Sequence, residues 1–198
     1  MLVWAAAALV IGTVLTSYHQ PMLAPGEAVL NLAEASTPSQ WQAIHVLSGA
    51  CGCSQRVMRN LLARGPMAGS IEQIIIADGD ESDLPGTDLL LTQLKEAKFQ
   101  VTRRKTEDLV RDTGMRGVPL LVIVSPNHTV AYLGGYGMNG DQANSILARS
   151  IAGKAGSPFP IFGCAVGQRV RREVDPFGLK YGALGNRLSL AIRKAFSA

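Results

Sequence analysis

The chain has 198 residues, 47% hydrophobic and 17% charged, which suits one globular domain with appendages and enough apolar material for a core. Its net charge is +4, yet from Ala165 onward seven Lys/Arg stand against Glu173 and Asp175, a balance of +5, so the first 164 residues sum to about −1. The basic character belongs to the tail and no basic patch is interleaved with aromatics, which argues against a nucleic-acid partner.

In chain order, the N-terminus "MLVWAAAALVIGTVLTSYHQP" opens with about sixteen uncharged, mostly apolar residues, and no Lys or Arg precedes Arg56. Residues 1–19 read as an uncleaved signal anchor, ahead of a cleaved signal peptide or a buried helix, although the run is short of the ~20 residues of a full span. That reading predicts a cytoplasmic-membrane protein whose body faces the periplasm or another extracytoplasmic side, where disulfides persist. Residues 20–40 carry three prolines and read as a linker with one weak helical turn.

The domain proper is expected over 41–153. "WQAIHVLS" suits a buried strand, and "SQRVMRNLLARGP" spaces Val57, Met58, Leu61 and Leu62 along one helix face before Gly65-Pro66 stops it. "IEQIIIADGD" is a second strand ending in an acidic loop, "TDLLLTQLKEAK" a helix, "FQVTRR" a short strand, and "TEDLVRDTGMRG" a helix closed near Gly114. "VPLLVIVSPNHTVAYLGGYG" holds strands over 120–124 and 129–133 joined by the turn Ser125-Pro126-Asn127-His128, and "GDQANSILARSIAGK" is a last amphipathic helix. The order β-α-β-α-β-α-β-β-α predicts an α/β fold with a mixed sheet, parallel through its crossovers and antiparallel at its hairpin.

The cysteines stand out against this frame. Cys51 and Cys53 lie in "SGACGCSQR", at the first strand-to-helix junction, and Cys164 lies in the extension 154–198. A helix N-terminus favours a thiolate, and Gly52 gives the backbone freedom for two sulfurs to approach. The motif at that junction, "RGVP" ahead of the hairpin, and the element order together resemble the thioredoxin superfamily, and within it the membrane-anchored TlpA/ResA-type proteins. The inserted unit 74–104 is similar to that branch.

The resemblance implies a thioredoxin-like three-layer fold and thiol–disulfide exchange with protein clients and a redox donor. It places Cys51 as the attacking thiol, Pro119 after a cis peptide bond, and Val118 with Gly117 where a substrate peptide would pair as a short strand. The alternative for Pro119 is an ordinary trans proline opening a strand, where no ladder donor is needed. The chain departs from the family's C-x-x-C: in register with Cys51 the second position is Ser54, and Cys53 falls between. Either the pair works as C-x-C, with Cys53 resolving, or the site is C-x-x-S with an intercalated thiol, or Cys53 holds the second position and Ala50 replaces the first. A bond across one residue is prone to strain, which predicts an oxidising or isomerising couple.

Cys164 is read as opening a short helix through Val174, with three roles open: a small apolar residue, a third redox thiol, or a metal ligand. The redox reading needs no cofactor. The alternative is a copper-handling protein in which Cys51 and Cys53 hold Cu(I) with Cys164 or His45, since thiolates in this spacing are soft ligands. His45 lies on the first strand, six residues before Cys51, and a histidine satisfied by its surroundings is the commoner outcome there. His128 is a turn residue and His19 lies beside the anchor. The cluster Asp78, Asp80, Glu81 and Asp83 reads as a solvated acidic turn. From Tyr181 the tail spaces Leu184, Leu188 and Ile192 for a basic amphipathic helix, suited to an anionic membrane surface or to docking on the domain.

Overall fold

The computed structural model describes residues 4, 8–9, 12, 21–33, 40–79, 81–137, 142–154, 156–178 and 180–182. The chain divides into two compact units, Pro21–Gly167 and Met1–Gln20 with Gln168–Ala198.

Pro21–Gly167 is an α/β unit built on a mixed five-stranded sheet. Strands β1 (Trp41–Leu47), β2 (Ser70–Asp78), β3 (Gln100–Lys105), β5 (Leu120–Val124) and β6 (Val130–Gly134) lie in the order β3-β2-β1-β5-β6. The first three pair in parallel, β5 runs antiparallel to β1, and the hairpin puts β6 antiparallel to β5. Helices α1 (Gly52–Arg64), α2 (Thr87–Glu96), α3 (Thr106–Thr113) and α4 (Ala143–Ile151) supply the crossovers and the final layer.

Period-two alternation assigns the strand side chains to faces. Ala43, Leu47, Ile74, Ile76, Leu121, Ile123 and Tyr132 form one core with Val57, Met58 and Leu61 of α1, Leu91 and Leu94 of α2, and Ile146 and Leu147 of α4. The registers put Ile44, Val46, Ile75, Leu120 and Val122 on the opposite face, all buried, and α3 packs against β2 and β3. β5, covered on both faces, accordingly reads as a continuous apolar run, LLVIV, rather than an alternating one. Helix α3 ends where Gly114 takes a left-handed conformation (φ 70°), the usual glycine solution at a helix C-terminus.

Three departures from the sequence reading follow from tertiary contacts. Within 20–40, residues Glu27–Leu32 form a 3₁₀ helix that buries Val29 and Leu32 and packs on α3, so this stretch belongs to the unit and is more than a linker. Cys164 opens no helix. It lies in a two-residue strand, β7 (Cys164–Ala165), paired antiparallel with β4 (Gly117–Val118), and the following helix α5 starts at Gln168 and ends at Val174. The predicted anchor is unsupported: among the described residues no helix is long and apolar enough to cross a membrane, and only four of residues 1–19 are described.

In the second unit, α5 is followed by a turn in which Asp175 Oδ2 accepts the amides of Lys180 and Tyr181, each at 2.8 Å. The predicted amphipathic helix of the tail lies outside the described residues from 183 onward.

Candidate functional site: a cysteine cluster beside a cis proline

The site grows from the junction of β1 and α1. After Leu47 the chain turns through Ser48–Ala50, with Cys51 N–H donating to Ser48 O at 3.2 Å and Ala50 N–H to Ser48 Oγ at 3.3 Å. Leu84 N–H and Thr87 Oγ1 donate to Gly49 O at 2.9 and 3.1 Å, and Gln55 Nε2 donates to Pro85 O at 3.1 Å and Thr87 Oγ1 at 2.9 Å. The cysteine turn is thus held by α1 and by the loop before α2, a connection that no local pattern in the sequence signals.

Cys51 is the N-cap residue of α1, in extended conformation, and is 1% exposed; Cys53, in the first turn, is exposed, and Cys164 is half-buried. No disulfide joins any of the three. The Cys51 thiol is held well below its ordinary range. Hydrogen bonds from the Cys164 and then the Cys53 thiol do most of this, burial opposes it, and the amide and hydroxyl of Ser54 add to the lowering. Ser54 is itself buried, and its Oγ accepts the Ser48 amide at 3.1 Å. Cys51 is therefore an anion-favouring sulfur with two other thiols as hydrogen-bond donors.

The Val118–Pro119 bond is cis. Val118 is the register partner of Cys164, and Gly117 that of Ala165. Pairing of Val46 with Leu120 puts the start of β5, directly after Pro119, beside the end of β1 that leads to Cys51. Gly117, Val118 and Pro119 are all buried. The sequence reading left the Val118 edge for a substrate peptide; in the structure the chain's own segment 158–166 fills it.

His45 does not join the cysteines. It is buried, with Nδ1 at 2.7 Å from Tyr136 Oη and Nε2 at 3.0 Å from Glu72 Oε2. Glu72 also accepts Arg64 in a two-toothed ion pair and the Met67 amide at 2.6 Å. Burial lowers the His45 pKa despite Glu72, so the ring is neutral at neutral pH. A carboxylate can only accept, so Nε2 carries the proton and Nδ1 accepts the Tyr136 hydroxyl. Both ring nitrogens are engaged, which removes His45 from the copper ligand set. Among the described residues, no group of three or more His, Cys, Asp or Glu is arranged to hold a metal ion.

Asp78 and Asp83 of the acidic loop are likewise partnered, and Asp80 lies outside the described residues. Arg103 reaches Asp83 at 2.7 Å, Asp78 at 3.1 Å and Asp88 at 3.3 Å. His128 sits in the β5–β6 turn with φ 57°, as a turn residue.

No protein family matches the chain, and no curated protein does. Among solved structures it is similar to a hypothetical protein from Sinorhizobium meliloti, at 13% identity and TM-score 0.49 over 65% of this chain and 80% of that one. It is similar also to an uncharacterised conserved protein from Geobacillus kaustophilus, at 15% identity and TM-score 0.48 over 65% and 77% of the two chains. Neither likeness bears on function.

Proposed function

We propose that this chain is a thiol–disulfide exchange protein of thioredoxin type that acts on protein disulfides outside the cytoplasm, tethered by its apolar N-terminal run. The observation that carries the reading is the Cys51 sulfur, buried at a helix N-cap, with thiol and hydroxyl donors that favour its thiolate. The cis bond before Pro119, at the start of the strand beside Cys51, supports it.

Exposure divides the work between the two motif cysteines. Cys53 faces solvent and meets the client disulfide; Cys51, 1% exposed, does not. As Cys53 attacks, its proton passes to the Cys51 sulfur, and a Cys53–client mixed disulfide forms. The proton moves on to the released client thiolate, which leaves Cys51 ionised to attack Cys53 and expel the second client sulfur as a thiolate, which takes its proton from solvent. The client disulfide gains two electrons and the Cys51–Cys53 dithiol loses two; a client dithiol drives the reverse. This order inverts the roles expected from the sequence, in which Cys51 attacks first.

The test is a titration of the full chain in glutathione buffers under metal-free conditions, with alkylation and peptide mapping. A two-electron transition that includes Cys51, and its loss in Cys51→Ser, is expected. Thiols that stay free across the whole range, yet become protected when Cu(I) is added, would make the cluster a metal clamp instead.

A further inference from the structure

We propose that Cys164 is a third working thiol, which takes the disulfide from the Cys51–Cys53 pair, and that segment 158–166 is an internal strand built to deliver it. The proposal rests on the exchange reading above. A lone cysteine in an extension would carry nothing; here the segment that bears it is seated on the unit at four successive points beside the cis proline, and its thiol helps to lower the Cys51 pKa.

At the first point Gly135 N–H donates to Phe159 O at 2.8 Å, and Phe159 N–H to Tyr132 Oη at 3.1 Å. At the second, Met22 N–H donates to Ile161 O at 3.0 Å. Next, Cys164 and Ala165 pair with Val118 and Gly117, and last Val166 N–H donates to Arg116 O at 3.0 Å. The approach is close enough to require glycine. A Cβ on Gly163 would lie 2.0 Å from Val118 O and 2.7 Å from Pro119 Cδ, and one on Gly135 would lie 2.2 Å from Pro160 O. These obstacles are backbone or ring atoms, which cannot swing aside as a flexible side chain does.

The strand occupies the edge where an extended client would pair, and it holds a thiol against the central sulfur. Cys51 thus has two alternative partners, the exposed Cys53 and the half-buried Cys164. In the added step the Cys164 thiol attacks Cys51 Sγ of the Cys51–Cys53 bond. A Cys51–Cys164 bond forms, the Cys51–Cys53 bond breaks, and the Cys164 proton goes to the departing Cys53 thiolate. No electrons are gained or lost overall, and Cys53 is again free to meet a second disulfide. The oxidised resting state is then the Cys51–Cys164 pair, with Cys53 reduced.

The experiment oxidises the full chain with oxidised glutathione, quenches with acid, alkylates and maps the disulfides. Wild type is expected to give mainly Cys51–Cys164 with Cys53 alkylated, and Cys164→Ser to stop at Cys51–Cys53. Gly163→Val, which unseats the strand without touching a cysteine, is expected to lower the Cys51–Cys164 yield at least tenfold and leave Cys51–Cys53 formation intact. Should that variant fail to fold by circular dichroism, the wild-type and Cys164→Ser maps decide. A wild-type map holding only Cys51–Cys53, with Cys164 alkylated at every potential, overturns the role of Cys164 and leaves the exchange reading standing. No internal disulfide at any potential overturns both.

Discussion

Cys164 and Val118 are register partners in a two-stranded antiparallel ladder although 46 residues separate them, and this pairing sets the Cys164 thiol against Cys51. Backbone hydrogen bonds, not the sulfurs, fix that arrangement, so it precedes any disulfide. A thiol placed in this way donates a proton to its neighbour and thereby favours the neighbour's anion.

The ionisation of Cys51 should therefore depend on its donors. The ultraviolet thiolate absorbance of the reduced protein is expected to titrate below the ordinary thiol range. In Cys164→Ala, and to a smaller degree in Ser54→Ala, it should move upward, because each variant removes a hydrogen bond to the anion while burial stays. An unchanged titration in Cys164→Ala would mean that the two sulfurs do not interact.

Access should rank the thiols. A bulky maleimide added to the native reduced protein is expected to label Cys53 first and Cys51 last, with rates apart by at least roughly tenfold, since reaction needs an exposed thiolate as well as a low pKa. Mapping of the partially labelled protein checks this. Early labelling of Cys51 would show that the turn opens readily.

Acid should weaken the fold through the buried cluster at His45. Burial alone would push the Glu72 carboxyl up, but Arg64 and His45 hold it at about 2, against an ordinary value of 4.5. The folded value lies below the unfolded one, so this stabilisation is complete above pH 4.5 and is lost as pH falls toward 2; it amounts to roughly 3 kcal/mol. His45 adds a loss of the same sign that begins below 6.5, because the unfolded imidazole takes its proton before the buried one. Urea midpoints measured from neutral pH into acid should fall through both windows. Arg64→Met should cost about 3–5 kcal/mol at neutral pH, because it strands a buried carboxylate, and should shrink the lower window.

Gly135→Ala tests the first anchor of the returning segment. The added methyl meets the Pro160 carbonyl, and a loss of roughly 1–3 kcal/mol is expected from overpacking. The same variant should release Cys164 toward faster alkylation. A stability loss without faster alkylation would mean that the Val118–Cys164 ladder holds by itself.

Much of the fold was legible because it is written locally. The alternating and continuous apolar runs of β1, β2 and β5, the face of α1 built by Val57, Met58 and Leu61, and the Ser125–His128 turn all carry their own period or turn chemistry. The position of Cys51 at a helix start was legible for the same reason, although α1 begins at Gly52 rather than at Ser54. The glycines of "YLGGYG" also carried a signal, since glycine at a strand end marks close backbone approach, but the sequence does not say what approaches.

By itself, then, the sequence determined the α/β order, the mixed sheet and a thiol pair at a helix N-terminus, because period, propensity and capping act over a few residues. It could not determine that Met22, Val29 and Leu32 join the unit, that His45 spends both ring nitrogens on Tyr136 and Glu72, or that Cys164 returns to Cys51. Those partners lie from 27 to 139 positions apart in the chain, and only the assembled sheet, with its glycine-lined edge, brings them into contact.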